Sequence, residues 1–224
     1  MIDLYSVGPD KTHFAIVAYS NWARVEFHLN TLTGASLTSQ GYKELVDKIR
    51  FQRGFTFIDK ALLVADKDVF TTARGMRPEL PQIAIVITDG KQTINRGPYV
   101  ELSVASRGLK DKNVNVYPLG IGPNVDQAQL EEVASSANNI FTAPNFDELI
   151  PVADTIVQNS CPETVNDLQY RIARHTWNVF VCCQLTYLTF WIVHMGARSQ
   201  EPVTRTTRPT INFLKKLCAV NIKY

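Results

Sequence analysis

In the stretch QIAIVITDGKQT, from Gln82 to Thr93, a continuous apolar run is followed by Thr88 and then by one carboxylate, that of Asp89. An unbroken apolar run of this length is typical of a strand buried on both faces of a parallel sheet. Such sheets bind ligands at the carboxyl ends of their strands, which is where Asp89 and Gly90 lie. Asp89 therefore either binds a cation or polar ligand or caps the backbone N–H groups of the following loop.

Four further segments have strand patterns, and they alternate along the chain with helical patterns. Residues 12–20, 114–121 and 139–143 are apolar, whereas residues 23–29 alternate between apolar and polar side chains. This alternation of elements predicts an α/β fold, a doubly wound and mostly parallel sheet with residues 23–29 as one antiparallel edge strand. Helices are predicted at 41–52, at 57–70, at 99–112, after a cap at Asn124 or Asp126, and after a cap at Asn145 with Glu148.

The charge of the chain is unevenly distributed. Residues 161–224 contain 8 Lys/Arg against 3 Asp/Glu, and residues 1–160 contain 15 against 18, although the whole chain of 224 residues has a net charge of +2. A mildly acidic body does not suggest a nucleic-acid-binding protein.

All four cysteines lie after residue 160, without the Cys and His spacing of a zinc site. The first ten residues lack the pattern of a signal peptide.

Enzymatic alternatives have little support in the sequence. The chain contains no phosphate-binding G-x-x-x-x-G-K-[ST] loop and no G-x-S-x-G nucleophile elbow. Gly120 and Gly122 follow a predicted strand, but Pro123 comes next and no third glycine completes a dinucleotide fingerprint. A phosphate or nucleotide hydrolase on a doubly wound sheet therefore remains an alternative function, although no sequence motif supports it.

Five segments of the chain carry a family resemblance. They are VGPDKTHFAIVAYSNWARVEFHLN, RGFTFIDKALLVADKDVFTTARGMRP, PQIAIVITDGKQT, VNVYPLGIG and NIFTAPNFDELIPVADTIVQNSC. In order and spacing they resemble the von Willebrand factor type A domain, in the extracellular-matrix branch of collagen VI and the matrilins. The resemblance runs from about Val7 to Cys161, and it implies a domain over residues 1–161. It also implies a non-enzymatic module that binds extracellular matrix proteins such as collagen, outside the cell.

The resemblance implies a metal-ion-dependent adhesion site that holds a divalent cation, usually Mg²⁺, between three loops. Thr56 in GFTFIDKAL matches the threonine of one loop, and Asp89 in ITDG matches the aspartate of another. Hydroxyl and carboxylate oxygens are ligands that suit Mg²⁺. Asp59 lies one helical turn beyond Thr56, and we interpret it as an acid of the first turn that the helix dipole favours.

The third loop of this site, D-x-S-x-S, is absent from the chain. In the family it follows the first and central strand of the sheet, and the next helix has an end that resembles IDLYSVGPD, which stands at residues 2–10 here. The resemblance therefore predicts that this strand and most of the helix are also missing. The resemblance therefore predicts an N-terminally truncated domain whose Mg²⁺ binding is weak or absent. It further predicts unpaired backbone groups on the two strands that would flank the missing one.

The tail, residues 162–224, has no counterpart in the family. Residues 175–197 contain no Asp, Glu, Lys or Arg, and their length would suffice to cross the hydrocarbon core of a membrane as a helix. One interpretation is a membrane-spanning segment, and the other is an appendage foreign to the domain. An intracellular assembly module of the same family is the second alternative for function.

Overall fold

The computed structural model describes residues 2–160 and 178–184, and its centre is a six-stranded sheet. The strand order across the sheet is β2-β1-β6-β3-β4-β5. All neighbouring strands are parallel except β2, which pairs antiparallel with β1 at one edge. The strands are β1 (His13–Tyr19), β2 (Ala23–Phe27), β3 (Gln82–Thr88), β4 (Val114–Ile121), β5 (Phe141–Ala143) and β6 (Asn178–Gln184).

Helices follow the strands as the sequence predicts, but two of them differ in extent. The helix predicted over 41–52 spans Ser39–Asp47 and ends five residues early. The predicted helix over 99–112 is two short helices that meet at Ser106, whose hydroxyl donates to the Glu132 carbonyl at 3.2 Å. A serine that bonds outside its own helix gives the backbone an alternative to continuous helix. The helices are α1 (Ser39–Asp47), α2 (Ile58–Val64, continued by a π-helical turn, Ala65–Val69), α3 (Leu102–Ala105), α4 (Arg107–Asp111), α5 (Gln127–Val133) and α6 (Leu149–Ser160).

Two of the predicted helix caps are present. The Asp126 carboxylate accepts a hydrogen bond from the Ala128 N–H at 3.1 Å, and so Asp126 rather than Asn124 begins α5. Asn145 accepts from the N–H groups of Asp147 and Glu148 and donates to the Glu148 carboxylate. The bonds from the N–H groups of Ala128, Asp147 and Glu148 satisfy backbone donors that the first turn of a helix leaves without a partner.

The sixth strand, β6, comes from the tail and was not predicted as a strand. It lies between β1 and β3, with His13–Tyr19 opposite Asn178–Gln184 on one side and Gln82–Ile87 opposite Asn178–Cys183 on the other. This is the central position that the resemblance leaves vacant. The expectation of unpaired backbone groups on the flanking strands is wrong, because β6 hydrogen-bonds to both.

Helices cover both faces of the sheet, so successive residues of β1 and β3 enter two different cores. On one face Phe14 and Ile85 pack with α1 and α6, and on the other Val17 and Val86 pack with α2, α3 and α4. Burial of each such aliphatic side chain contributes about 1.5–3 kcal/mol to folding. The two cores explain why these strands are apolar at every position rather than at every second one.

Several predictions for the tail fall on residues that the structure does not describe. The tail prediction covers 162–224, and of the segment 175–197 the structure describes 178–184 alone, as strand β6. Within the described parts of the chain, no helix is both long enough and apolar enough to cross a membrane. Whether residues 175–197 span a membrane stays a prediction.

Tyr42 of α1 lies in the core that contains Phe14, and the ionisation of its hydroxyl can test how fully it is buried there. Its side chain is fully buried, with the ring edge-on to Phe14 at 5.2 Å between centroids. The hydroxyl makes no hydrogen bond of good geometry to any described residue. Burial raises the pKa of Tyr42 to about 12, above the value of about 10 for an exposed tyrosine.

We expect the free energy of unfolding of Tyr42→Phe to fall less at alkaline pH than that of the parent chain. Because the folded pKa is raised, the contribution of Tyr42 is complete below pH 10 and is lost as the pH rises through 12, by about 2–3 kcal/mol in all and by roughly half of that at pH 11. The variant lacks this loss, and at pH 7 its free energy of unfolding equals that of the parent or exceeds it by about 1 kcal/mol. Urea denaturation at pH 7 and pH 11 measures both quantities. An equal alkaline loss in the variant would contradict the assignment to Tyr42.

Candidate functional site

The parallel strands β1, β6, β3 and β4 end at the same edge of the sheet, which we call the carboxyl edge. Here the Tyr19 hydroxyl, at the end of β1, donates to the Ile87 carbonyl of β3 at 2.8 Å. The two residues flank the last positions of β6, because Tyr19 pairs with Gln184 and Ile87 pairs with Cys183. The bond therefore joins the two halves of the sheet beside the loop that carries Asp89.

The structure brings together the two loops that the sequence predicts as metal ligands. The Thr56 N–H donates to Thr93 Oγ1 at 3.1 Å, and the Thr93 N–H donates to the Thr56 carbonyl at 2.8 Å. A Cβ placed on Gly90 would lie 3.6 Å from Thr56 Oγ1. The Thr56 hydroxyl thus faces the turn that Asp89 opens, and Asp89 itself is half-buried.

Asp59 has a structural position, and its carboxylate is occupied by protein donors. The side chain is 2% exposed. Its Oδ2 accepts from the Val100 N–H at 2.9 Å, and its Oδ1 accepts from Gln92 Nε2 at 2.8 Å. The Asp59 N–H donates to Gln92 Oε1 at 3.2 Å. Asp59 therefore joins the loop after β3 to the start of α2.

Sequence reasoning did not identify Gln92, which connects three elements of this edge. Besides its bonds to Asp59, its N–H donates to Gln129 Oε1 at 2.8 Å, which ties the loop to α5. Lys91 makes an ion pair with Asp126 at 3.2 Å, and this hydrogen bond lowers the pKa of Asp126. No local pattern marks Gln92, because its partners lie more than thirty residues away in the sequence.

Among the described residues, Thr56 and Asp89 offer this edge one hydroxyl and one carboxylate. Water or other ligands would have to supply the remaining oxygens of an octahedral Mg²⁺ ion. Among residues 2–160 and 178–184, no group of three His, Cys, Asp or Glu side chains could hold a metal ion. The chain has no Asp or Glu between Asp167 and Glu201, so β6 brings no carboxylate to the edge.

Three exposed apolar side chains lie on or beside the two loops: Trp22, Phe55 and Ile94. Together with Arg96 they form what we call the edge surface. The Arg96 guanidinium lies over the Phe55 ring, 5.1 Å from its centroid. The Phe55 N–H donates to Asn21 Oδ1 at 2.9 Å, which places the loop of Trp22 beside that of Phe55. Single exposed apolar residues are ordinary, whereas these lie on loops that hydrogen-bond to one another, and grouped exposed apolar residues are typical of an interaction site.

A glycine permits the contact between these two loops. A Cβ on Gly54 would overlap the side-chain amide of Asn21. The Lys60 ammonium donates to the Asn21 carbonyl at 3.0 Å and lies 3.6 Å from the centroid of the Phe57 ring. The edge surface is thus held from beneath by hydrogen bonds and a cation–π contact.

Sequence comparison matches the chain to proteins of the extracellular matrix. The Mus musculus collagen alpha-1(XX) chain is 29% identical over 162 residues, which cover 70% of this chain and 11% of that protein. The Homo sapiens collagen alpha-5(VI) chain is 30% identical over 159 residues, which cover 70% of this chain and 6% of that protein. The chain thus spans a small part of each relative.

Structural comparison matches the chain to proximal thread matrix protein 1 from the mussel byssus. The TM-score is 0.60 at 26% identity, covering 71% of this chain and 38% of that one. A second structure of the mussel protein has a zinc-occupied MIDAS motif and matches with a TM-score of 0.59 at 26% identity, covering 66% of this chain and 36% of that one. A divalent metal is thus bound at the metal-ion-dependent adhesion site (MIDAS) of a structural relative.

The family model of the von Willebrand factor type A domain matches residues 1–155. The match includes five of the six strands, the loops of Thr56 and Asp89 and most of the edge described above. It confirms the resemblance that the ordered segments of the sequence indicate, and its length is well over half of the chain. The chain belongs to the von Willebrand factor type A domain family.

Proposed function

We propose that the chain is a non-enzymatic module of an extracellular matrix or cell-adhesion protein, which binds another matrix protein at the carboxyl edge of the sheet. The observation that carries this proposal is the edge surface, where three exposed apolar side chains and Arg96 surround the loops of Thr56 and Asp89. The matrix relatives support a location outside the cell. They weigh against the alternatives of an intracellular assembly module and a hydrolase.

The chemistry of the edge surface suggests what its partner presents. Aromatic and aliphatic side chains gain by excluding water against another apolar surface, and an arginine in such a setting favours a carboxylate of the partner. A collagen or other matrix protein with acidic and apolar side chains in sequence would meet both requirements. In this proposal binding rests on protein contacts, because Thr56 and Asp89 alone are a remnant of the family's metal site.

The first prediction concerns binding to collagen. We expect the chain to bind immobilised collagen in surface plasmon resonance, in the presence of EDTA as well as Mg²⁺. Ile94→Ser should weaken binding about fivefold or more, because burial at the centre of an interface is worth at least about 1 kcal/mol. Phe55→Ser should act in the same direction.

The matched control is Ile150→Ser on α6. Ile150 is 49% exposed and Ile94 is 57% exposed, so that the two substitutions remove a similar apolar surface. We expect Ile150→Ser to leave collagen binding unchanged. An equal loss in both variants would contradict the assignment of the edge surface, and complete loss in EDTA would contradict metal-independent binding.

The second prediction concerns Mg²⁺. Because one hydroxyl and one carboxylate leave most positions to water, we expect titration calorimetry to give a Kd above about 1 mM. Asp89→Ala should abolish this binding, whereas Asp68→Ala, at an exposed acid beyond α2, should leave it intact. Unchanged Mg²⁺ binding by Asp89→Ala would refute the proposed role of Asp89. A Kd in the micromolar range would refute the incomplete site.

The third prediction separates Asp59 from metal binding. Asp59→Ala leaves the Val100 N–H and the Gln92 side-chain amide without their acceptor, and we expect it to lower the free energy of unfolding by about 2–3 kcal/mol. Asp68→Ala should change it by less than about 0.5 kcal/mol. Urea denaturation measures both. Loss of Mg²⁺ binding in Asp59→Ala without loss of stability would show that Asp59 is a ligand.

A further inference from the structure

The loop between α1 and α2 packs against the turn that joins β1 to β2 at the carboxyl edge. Ser20 Oγ donates to the Arg53 carbonyl at 3.4 Å, which holds the middle of the loop on this turn. The side-chain amide of Gln52 lies within 3.2 Å of the Arg24 guanidinium on β2. Basic residues of the loop and of β2 are therefore brought onto one surface of the domain.

Four cations of this region form what we call the basic surface: Arg24, Arg50, Arg53 and Lys60. Arg50 and Arg53 are both exposed and lie three positions apart in the loop, so that their Cα atoms are at most about 11 Å from each other. The Lys60 ammonium reaches the turn, where it donates to the Asn21 carbonyl at 3.0 Å. The side chain of Arg24 is 41% exposed. The basic surface thus extends from β2 across the loop to the start of α2.

Most of the positive charge of the basic surface is not neutralised by the protein. Among the ion pairs of the described residues, Arg24 is the one member of this surface that takes part, with Glu26 at 2.7 Å. The Lys60 ammonium contacts a backbone carbonyl and the Phe57 ring, and neither group carries a negative charge. The basic surface therefore has a surplus of positive charge for a partner to neutralise.

The acidic side chains near the basic surface are buried or lie at its margin. Asp59 follows the loop, but it is 2% exposed and accepts hydrogen bonds from protein donors. The nearest exposed acid along the chain is Asp47, at the end of α1 and three positions before Arg50. Residues 1–160 as a whole contain 15 Lys/Arg against 18 Asp/Glu, so the local surplus is opposite in sign to the net charge of the domain.

We propose that the basic surface binds a sulfated polysaccharide of the extracellular matrix. A guanidinium can donate two parallel hydrogen bonds to one anionic group, and it is more weakly hydrated than an ammonium, so it gives up water readily. Cations spaced along a loop suit a linear polymer with repeated anionic groups better than one small anion. The choice of a polysaccharide over other polyanions rests on the proposed location outside the cell, whereas the surplus of charge does not.

The probe for this proposal is heparin, a sulfated polysaccharide, labelled with fluorescein and titrated with the full chain. At about 0.15 M NaCl we expect binding by fluorescence anisotropy, which weakens as the salt concentration is raised because surface charges are then screened over a shorter distance. Arg50→Gln combined with Arg53→Gln should raise the Kd about tenfold or more, since a basic residue near an anionic surface contributes about fivefold.

The matched control is Arg74→Gln combined with Arg107→Gln, which removes the same charge from exposed residues elsewhere. Arg74 lies beyond the other end of β2, where Asn30 Nδ2 donates to the Ala73 carbonyl at 3.2 Å. We expect this control to keep the Kd within about twofold of the parent value. Because all four arginines are exposed, both double variants should unfold at the same urea concentration as the parent.

Two outcomes of these titrations would overturn the proposal. Equal losses in the two double variants would show a response to net charge rather than a site. Full binding by the double variant at positions 50 and 53 would assign heparin to another basic segment, such as residues 161–224, which contain 8 Lys/Arg against 3 Asp/Glu.

Two further measurements separate the basic surface from the edge surface and from sites for other polyanions. Ile94→Ser should leave heparin binding unchanged, and the double variant at positions 50 and 53 should leave collagen binding unchanged, so that either proposal can fail without the other. An equal loss of heparin binding in Ile94→Ser would overturn the placement on the basic surface. Desulfated heparin or single-stranded DNA that competes as strongly as heparin would overturn the choice of a sulfated polysaccharide.

Discussion

The hydrogen bonds that β6 makes to β1 and β3 are the interactions on which the rest of the structure depends. Backbone groups buried in a protein need partners, and those on the facing edges of β1 and β3 lie between two apolar cores where water cannot supply them. Pairing by β6 satisfies both edges at once. The packing of the helices and the meeting of the loops at the carboxyl edge follow from a sheet that is continuous at its centre.

Much of the fold could be predicted from local pattern. Continuous apolar runs identify β1 and β3, the alternation of residues 23–27 identifies the antiparallel edge, and Asp126 and Asn145 cap helices as expected. The strand β6 could not be predicted in this way. The apolar composition of residues 175–197 is compatible with a buried strand and with a membrane helix alike, so that the choice depends on the facing edges of β1 and β3, which lie far away in the sequence.

The residues of the candidate site also fall into those that could be predicted from local sequence and those that could not. Thr56 and Asp89 are found from the sequence, because each lies in a short segment that resembles the family. The pairing of Asp59 with Gln92 joins residues 33 positions apart, and Tyr19 reaches Ile87 across 68 positions. Neither contact has a signature in local sequence, yet both hold the loops of the carboxyl edge in place. Prediction from sequence therefore identifies the conspicuous candidate ligands and misses the residues that position them.

The position of β6 in the chain has a consequence for biosynthesis. The ribosome completes β5 at Ala143 and must add 41 more residues to reach Gln184, which takes roughly 2–8 s at ordinary rates of elongation. During that interval the nascent domain has all of its other strands but no centre, and two apolar strand edges remain open to water. The chain thus passes through a stage in which chaperones, aggregation or a neighbouring nascent chain compete for the place that its own last strand will take.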